Sequence, residues 1–164
     1  MNDYIYIGKI ANTHGIKGEL RIKSDFDKKN LVFKLGNTLY LGDNYYPEVI
    51  KTYRVHKDFD MVTFNNYTNI NEVLKYLKMN VYIKRSDLNL KQNEYVMSDL
   101  LGFDIIDNGQ NLGKVIDYVY NGSNTLLVIK GLKQFYIPME GNYITKIDLI
   151  NHQINTVQAK DLIL

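Results

Sequence analysis

The sequence predicts a mainly β protein, with two small antiparallel β-barrels joined by a short linker and one helix in the N-terminal barrel. Three observations support this fold class. Short stretches alternate between apolar and polar residues, as in 19–23, where Leu20 and Ile22 share one face. Turns rich in Gly and Asn separate these stretches. A polar segment without periodicity, residues 85–94, divides the 164-residue chain near its middle.

The N-terminal part is predicted as a set of strands interrupted by one helix. Two strands between Tyr4 and Lys23 flank a loop that contains Gly15. The further predicted strands cover residues 39–41, 45–54, 61–64 and 81–83. A helix over residues 70–77 is predicted because apolar residues recur there at i, i+3, i+4 and i+7. Asn69 and Glu72 form the pattern of a capping box at its start.

The C-terminal part is predicted as a succession of short strands. Asp107-Asn108-Gly109 is typical of a tight hairpin turn, since type I′ turns need positive φ. Further turn signals follow at short intervals, which favours a small antiparallel barrel. We therefore divide the chain into an N-terminal domain over residues 1–86, a linker over 87–94 and a C-terminal domain over 95–164.

Composition excludes several classes of protein. The hydrophobic fraction of 45% and the charged fraction of 23% are ordinary for a globular protein. The sequence has no run of about 20 apolar residues, which a membrane helix requires, and no secretory signal pattern. The absence of cysteine excludes thiolate metal sites and disulfides, and it fits the reducing cytoplasm where we expect the protein.

Charge is distributed unevenly along the chain. Residues 1–90 carry 14 Lys and Arg against 10 Asp and Glu, a net charge of +4, whereas residues 91–164 carry 6 against 8, a net charge of −2. This pattern favours a polyanion as partner of the first part and a basic protein as partner of the second. An ordinary solvated surface is the alternative.

No catalytic or metal-binding constellation is recognisable in the sequence. His14, His56 and His152 lie in separate segments, and none has metal-ligand spacing. Nucleophile-elbow and phosphate-loop motifs are absent from the sequence. We therefore predict that the protein is not an enzyme and that it uses neither a cofactor nor a metal.

One candidate nucleic-acid site surrounds the loop between the first two predicted strands. His14, Lys17, Arg21 and Lys23 place cationic or polar groups near one end of the N-terminal barrel. Such groups contact phosphates and position a protein without reading base sequence. Four solvated surface residues are the alternative interpretation.

Five tyrosines of the N-terminal part, at positions 4, 6, 45, 46 and 53, admit two interpretations. In one interpretation they form a stacking platform for bases. In the other, which the sequence favours, they pack the barrel or cover strand edges.

A candidate protein-binding site opens the C-terminal part. Residues 95–102 are strongly apolar, and we expect some of them to pack inside and the rest to form an exposed patch for a protein partner. The predicted contact residues are Tyr95, Val96, Leu100, Leu101 and Gly102.

Two motifs resemble a known family. Residues 8–20, GKIANTHGIKGEL, resemble the opening of the RimM family, G-x-I-x-x-x-H-G-[LI]-x-G-E-[VL]. Residues 94–102, EYVMSDLLG, are similar to E-Y-Y-x-x-D-L-[IL]-G, which begins the family's PRC-barrel domain. Further similar segments follow in the family's order, at residues 108–115, 122–124, 137–138 and 147–149. The chain departs from the pattern where Val96 replaces a tyrosine, where Asn124 is followed by Thr125, and where Met139 follows Ile137-Pro138.

The resemblance implies a function as well as a fold. It implies a six-stranded N-terminal barrel and a C-terminal PRC barrel. It also implies a monomeric, non-catalytic factor that binds the immature small ribosomal subunit and ribosomal protein nineteen of its head, and that assists rRNA processing and folding. The alternatives are a PRC-barrel adaptor acting outside the ribosome and, less favoured, an enzyme that modifies rRNA.

Overall fold

The computed structural model describes residues 3–164 and divides into two compact units, Met1–Lys91 and Gln92–Leu164. A 3₁₀ turn over Arg85–Leu88 lies at the beginning of the predicted linker, and its Leu88 side chain is buried. This part of the chain is therefore folded rather than extended. The exact domain limits given above stay predictions.

The first unit is a six-stranded antiparallel barrel. Its strands join in the order β1-β2-β5-β4-β3-β6, and the ring closes because β6 pairs with both β3 and β1. The strands are β1 Tyr4–His14, β2 Glu19–Lys23, β3 Thr38–Leu41, β4 Tyr46–His56, β5 Phe59–Phe64 and β6 Asn80–Lys84. Alternation directs one face of each strand inward, where side chains such as Ile10, Leu20 and Ile22 are completely buried.

Two register shifts bend β1 around the barrel. One shift lies between Tyr6 and Gly8 opposite β6, and the other between Ile10 and Asn12 opposite β2. Bulges of this kind increase the local twist that a small closed barrel needs. Gly8 is required by a close approach, since a Cβ atom there would lie 2.4 Å from the carbonyl oxygen of Lys23.

The predicted helix over residues 70–77 is wrong in type. The segment forms two consecutive 3₁₀ turns, Ile70–Glu72 and Leu74–Tyr76, whose backbone bonds span three residues. The capping box is present. The Asn69 N–H donates to the Glu72 carboxylate at 3.1 Å, and the Asn69 side-chain oxygen accepts from the Asn71 N–H at 2.9 Å. Only Val73 and Tyr76 are buried, while Leu74 is 45% exposed. Eight residues are too few to nucleate an α-helix without a continuous buried stripe, and here packing selects the tighter turn. The α-helical turn in residues 3–164 is instead α1, Lys29–Val32.

The second unit is a six-stranded sheet in the order β10-β9-β8-β7-β12-β11. Its strands are β7 Asp104–Asp107, β8 Gln110–Tyr120, β9 Thr125–Lys130, β10 Gln134–Pro138, β11 Ile144–Asp148 and β12 Gln153–Thr156. The prediction that all strands are antiparallel is corrected at β7 and β12, which pair in parallel. A parallel neighbour requires a long connection, and the chain supplies it by forming β8 to β11 before β12 returns to β7.

The core of the second unit is apolar and draws on the segment that precedes its first strand. Met97, Leu100 and Phe103 belong to the same buried cluster as Ile105, Ile129 and Ile137. Tyr95 is partly buried against this cluster. The residues that precede β7 therefore contribute to the interior of the second unit, and only those that remain outside it are available to a partner.

Candidate functional site

The outer face of the first unit gathers charged and aromatic side chains from four strands, β1, β2, β4 and β5. His14 ends β1 and is paired in register with Glu19, which begins β2. An Nη2 atom of Arg21 lies 2.8 Å from Nδ1 of His14. The His14 and His56 rings are 5.5 Å apart between centroids, although 42 positions separate them in the sequence. We call this set of residues, His14, Arg21, Lys23, Arg54 and His56, the basic face.

Glu19 and Phe59 organise the cations of the basic face. Arg54 donates two hydrogen bonds to Glu19, of 2.9 Å from Nε and 2.7 Å from Nη2, in a bidentate ion pair. Arg21 and Lys23 lie over the Phe59 ring, with their charged groups 5.7 and 6.0 Å from its centroid. Two of the cations therefore rest on an aromatic ring and leave their charge available to an outside anion.

The electrostatic balance of the basic face is positive. The pKa of His56 is lowered by partial desolvation and then by the neighbouring cations Arg54, His14, Lys57 and Arg21. The hydrogen bond from Arg54 holds the pKa of Glu19 below its ordinary value, so this carboxylate stays charged. The Arg21 Nε atom is shielded from solvent and has no hydrogen-bond acceptor among the described residues. A surface with a shielded donor and a depressed histidine pKa favours binding of an anion.

Three of the four residues predicted as a nucleic-acid site, His14, Arg21 and Lys23, lie together on the basic face. Lys17 lies in the exposed turn between β1 and β2. Sequence reasoning missed Arg54, His56 and Phe59, which reach the face from the β4–β5 hairpin. The alternation of Arg54 and His56 about Val55 was a usable signal for a shared strand face, but nothing local indicated which strand they would adjoin.

The second predicted site, residues 95–102, is divided between interior and surface. Val96 and Leu100 are completely buried, so their side chains face the interior and not the surface where a partner would bind, and their part in a contact stays a prediction. The chain turns here because the Val96 N–H donates to the Asp99 carboxylate at 3.0 Å and residues 97–100 form a 3₁₀ turn. That turn carries Leu100 inward and leaves Leu101 45% exposed.

Leu101 and Gly102 form the exposed part of the segment, and β8 extends it. Gly102 adopts φ +88°, and its N–H donates to the Val115 carbonyl at 2.8 Å. This bond places the segment beside Ile116, which is 49% exposed. With the half-buried Tyr95, these residues define what we call the apolar edge, namely Tyr95, Leu101, Gly102 and Ile116. Sequence reasoning missed Ile116, since only strand pairing brings it to this place.

Within residues 3–164, no group of three or more His, Cys, Asp or Glu side chains is arranged to hold a metal ion. None of the helices that the structure describes has the length and apolar character needed to span a membrane.

Comparison with known proteins identifies the family. Residues 5–88 match the RimM N-terminal domain, and residues 97–162 match the RimM PRC barrel domain. The chain belongs to the RimM family. A ribosome maturation factor RimM of Staphylococcus haemolyticus is 36% identical over 164 residues, which cover 97% of this chain and 98% of that protein. A protein of the same name from Staphylococcus aureus is 35% identical over 155 residues, covering 92% and 93%.

Two solved structures are also similar to this RimM-family chain. The crystal structure of a RimM protein from Pseudomonas aeruginosa is 23% identical, with a TM-score of 0.47, and covers 97% of this chain and 99% of that one. The solution structure of the N-terminal domain of RimM from Thermus thermophilus is 18% identical, with a TM-score of 0.45, and covers 53% and 95%. The family assignment rests on the sequence matches, which confirm the resemblance drawn from residues 8–20 and 94–102.

Proposed function

We propose that this RimM-family chain is a non-catalytic ribosome assembly factor that binds the immature small subunit through both of its units. The observation that carries the proposal is the basic face, where one barrel gathers His14, Arg21, Arg54 and His56 on a single surface. The name of its relatives, ribosome maturation factor, supports the same function.

The basic face is the proposed contact with rRNA. Arg21 and Lys23 donate to phosphate oxygens, and Lys17 reaches the same backbone from the adjoining turn. Arg21 is well suited to this because its guanidinium is already oriented by His14 and Phe59, so less side-chain entropy is lost on binding. Contacts of this kind hold the protein on folded RNA without reading its sequence.

The apolar edge is the proposed contact with a basic protein of the subunit head, ribosomal protein nineteen. Residues 91–164 have a net charge of −2, which complements a basic partner. Tyr95, Leu101 and Gly102 form the contact, while Val96 and Leu100 support them from the interior. Val96 stands where the family has a second tyrosine, and its burial explains how an aliphatic side chain is accommodated there.

The mechanism requires no covalent step. A factor that binds one conformation of the rRNA more tightly than others shifts the population toward that conformation, by no more than its difference in affinity. Processing of the rRNA then proceeds on a better-folded substrate. Release follows once the mature head no longer presents the binding site. The protein acts as a monomer in this scheme.

Co-sedimentation with immature small subunits tests the proposal. The full chain is mixed at low salt with subunits from cells arrested early in assembly, and with mature subunits as the control. We expect association with the immature particles and little with the mature ones. No association with either would contradict the proposal and favour an adaptor acting outside the ribosome. A covalent change in the rRNA after incubation would instead indicate an enzyme.

A second arm separates the two proposed contacts. Isolated ribosomal protein nineteen, free of RNA, is immobilised and tested for retention of the chain. If the Leu101→Ala variant is no longer retained while the Arg21→Ala variant still is, the result supports the proposal that the second unit binds the protein and the first unit binds the RNA. Equal loss with both variants would contradict it.

A further inference from the structure

A cluster of five tyrosines lies on the outer face of β1, β3 and β6, and the proposed function does not use it. Tyr4 and Tyr45 are stacked, with centroids 4.0 Å apart and planes at 5°. Tyr40 meets Tyr4 edge-on at 5.1 Å, Tyr82 meets Tyr45 at 4.9 Å, and Tyr6 meets Tyr82 at 5.9 Å. We call these five residues the tyrosine face.

Strand alternation directs all of the strand members outward. Ile83 is completely buried on the inner side of β6 and pairs with Ile5 of β1, so Tyr4, Tyr6 and Tyr82, which alternate with these two residues, point away from the barrel. The rings are therefore not part of the barrel core, and they pack against one another on its outer side. Tyr6 is 54% exposed, a large aromatic surface to leave in water.

Tyr45 is held on this face by an unfavourable backbone conformation. It adopts φ +51° at the end of the turn that joins β3 to β4, where its N–H donates to the Gly42 carbonyl at 3.1 Å. A large side chain in the left-handed region costs on the order of 1 kcal/mol or more, which the surrounding contacts must offset. Strained conformations of this kind concentrate at binding sites.

Lysines surround the tyrosine face. The Lys84 ammonium lies 5.1 Å from the Tyr40 centroid and 5.8 Å from that of Tyr4. Lys9 and Lys23 are opposite each other on β1 and β2, and both are exposed. Asp25, which acts on Tyr6, and Asp87, which acts on Lys84, are the carboxylates with a resolved influence on these groups. Asp3 and Asp43 also lie within two residues of Tyr4 and Tyr45 in the sequence, and Lys84 is the cation that directly faces two of the rings.

We propose that the tyrosine face binds unpaired nucleotides of RNA by base stacking, with Lys9, Lys23 and Lys84 contacting the backbone. This rests on the proposed function and specifies which part of the RNA is held. Tyr6 is the exposed ring of the cluster, and the four partly buried rings support it. An exposed aromatic ring near cations is an arrangement that binds single strands, since every base offers a flat face. Bases within a duplex are already stacked on one another and cannot use the rings.

Lys23 connects the tyrosine face with the basic face. Its ammonium lies over Phe59 on one side, while its backbone is in register with Lys9 on the other. An RNA strand leaving a helix held on the basic face would therefore meet Lys23 first and then Lys9 on the neighbouring strand. The Lys84 ammonium against two of the rings favours RNA over an apolar peptide, for which we would expect no cation at the aromatic surface.

Binding of labelled RNA to the full chain tests the inference. The probes are a fluorescent oligouridylate of twelve nucleotides and a duplex of the same length, compared by anisotropy at equal salt. We expect the unpaired probe to bind more tightly. Tyr6→Ala should weaken its binding roughly 5-fold or more, the usual effect of losing one stacking aromatic. Tyr6→Phe should retain most of the affinity because it keeps the ring.

Tyr136→Ala is the matched control, since Tyr136 is 48% exposed on β10 of the second unit. It should leave binding of the unpaired probe unchanged. Equal affinity for both probes, or no loss in Tyr6→Ala, would overturn the inference. A Tyr6→Ala variant with unchanged RNA binding but reduced retention on ribosomal protein nineteen would assign the face to a protein instead.

Failure of this inference is distinguishable from failure of the proposed function. If the chain co-sediments with immature subunits while Tyr6→Ala binds oligouridylate normally, only the stacking site is wrong. If the chain does not co-sediment at all, the proposed function is wrong whatever the oligonucleotide result.

Discussion

The basic face of the first unit and the apolar edge of the second unit are built in opposite ways. The basic face consists of side chains from three strands, β1, β2 and β4, all pointing outward from a closed barrel, and none is needed in the core. The apolar edge, apart from Ile116 of β8, belongs to a short segment that turns once and divides its residues between core and solvent. Binding and folding are therefore separable on the first surface and coupled on the second. Single substitutions on each surface test this difference.

The largest expected effect is a contrast between neighbouring leucines of the apolar edge segment. Leu100→Ala removes a completely buried side chain and should lower the free energy of unfolding by about 2–5 kcal/mol. Leu101→Ala should change it by less than about 0.5 kcal/mol, because Leu101 is half-exposed. Urea denaturation gives both values, and retention on ribosomal protein nineteen should fall in the stable Leu101 variant. Similar stability losses in the two variants would contradict the division between core and surface.

On the basic face, Arg21→Ala should weaken RNA binding with little effect on stability. Loss of one phosphate contact should reduce the slope of log affinity against log salt concentration by about 1. The measurement is a salt titration of RNA binding by anisotropy. Lys160→Ala removes the same charge from an exposed position of the second unit, and should leave the slope unchanged. An equal change in both variants would mean that net charge, rather than the basic face, sets the affinity.

The pH dependence should have opposite signs for RNA binding and for stability. A bound phosphate offsets the cations that depress the pKa of His56, so binding takes up a proton and affinity should rise as pH falls from about 7.5 to 5.5. Folding behaves in the opposite way, because the folded pKa lies below that of the unfolded chain. Stability should therefore decrease as pH falls through the unfolded pKa of about 6.5 toward the depressed folded pKa.

His56→Gln tests this linkage directly. The groups that face His56 are Arg54, His14, Lys57 and Arg21, with Glu19 paired to Arg54. Removing the titrating ring should flatten the pH profile of RNA binding while leaving affinity at pH 8 nearly unchanged. A profile as steep as that of the unaltered protein would assign the proton uptake to another group.

The smallest expected effect is that of Glu19→Gln. This change removes the carboxylate that neutralises Arg54, so RNA affinity should increase by about 2-fold at low salt, with the gain disappearing at high salt. Since Arg54 is exposed, the loss of the ion pair should have little effect on stability. Weaker RNA binding in this variant would mean that Glu19 orients Arg54 for the contact rather than competing with the RNA.

The sequence pattern alone was sufficient to predict which face of a strand a side chain occupies, because this depends only on the alternation of neighbouring residues. The alternation over 19–23 predicted that Arg21 and Lys23 share the solvent face opposite Leu20 and Ile22, and the burial of these two apolar residues confirms it. The two strands flanking the Gly15 loop and the capping box at Asn69 were predicted for the same reason, since their causes lie within a few residues.

Only the tertiary structure decided which strands lie next to one another. Pairing of β4 with β5, and of β5 with β2, brings His56 to His14, and no local signal specifies such pairings. The return of β12 to β7 made one pair parallel, and packing converted the predicted helix into 3₁₀ turns. In residues 95–102, the sequence showed that many residues are apolar but not which of them are buried. The turn at Asp99 places Leu100 in the core and Leu101 on the surface. Alternation is a property of neighbouring residues, whereas strand pairing and burial depend on residues far apart in the chain.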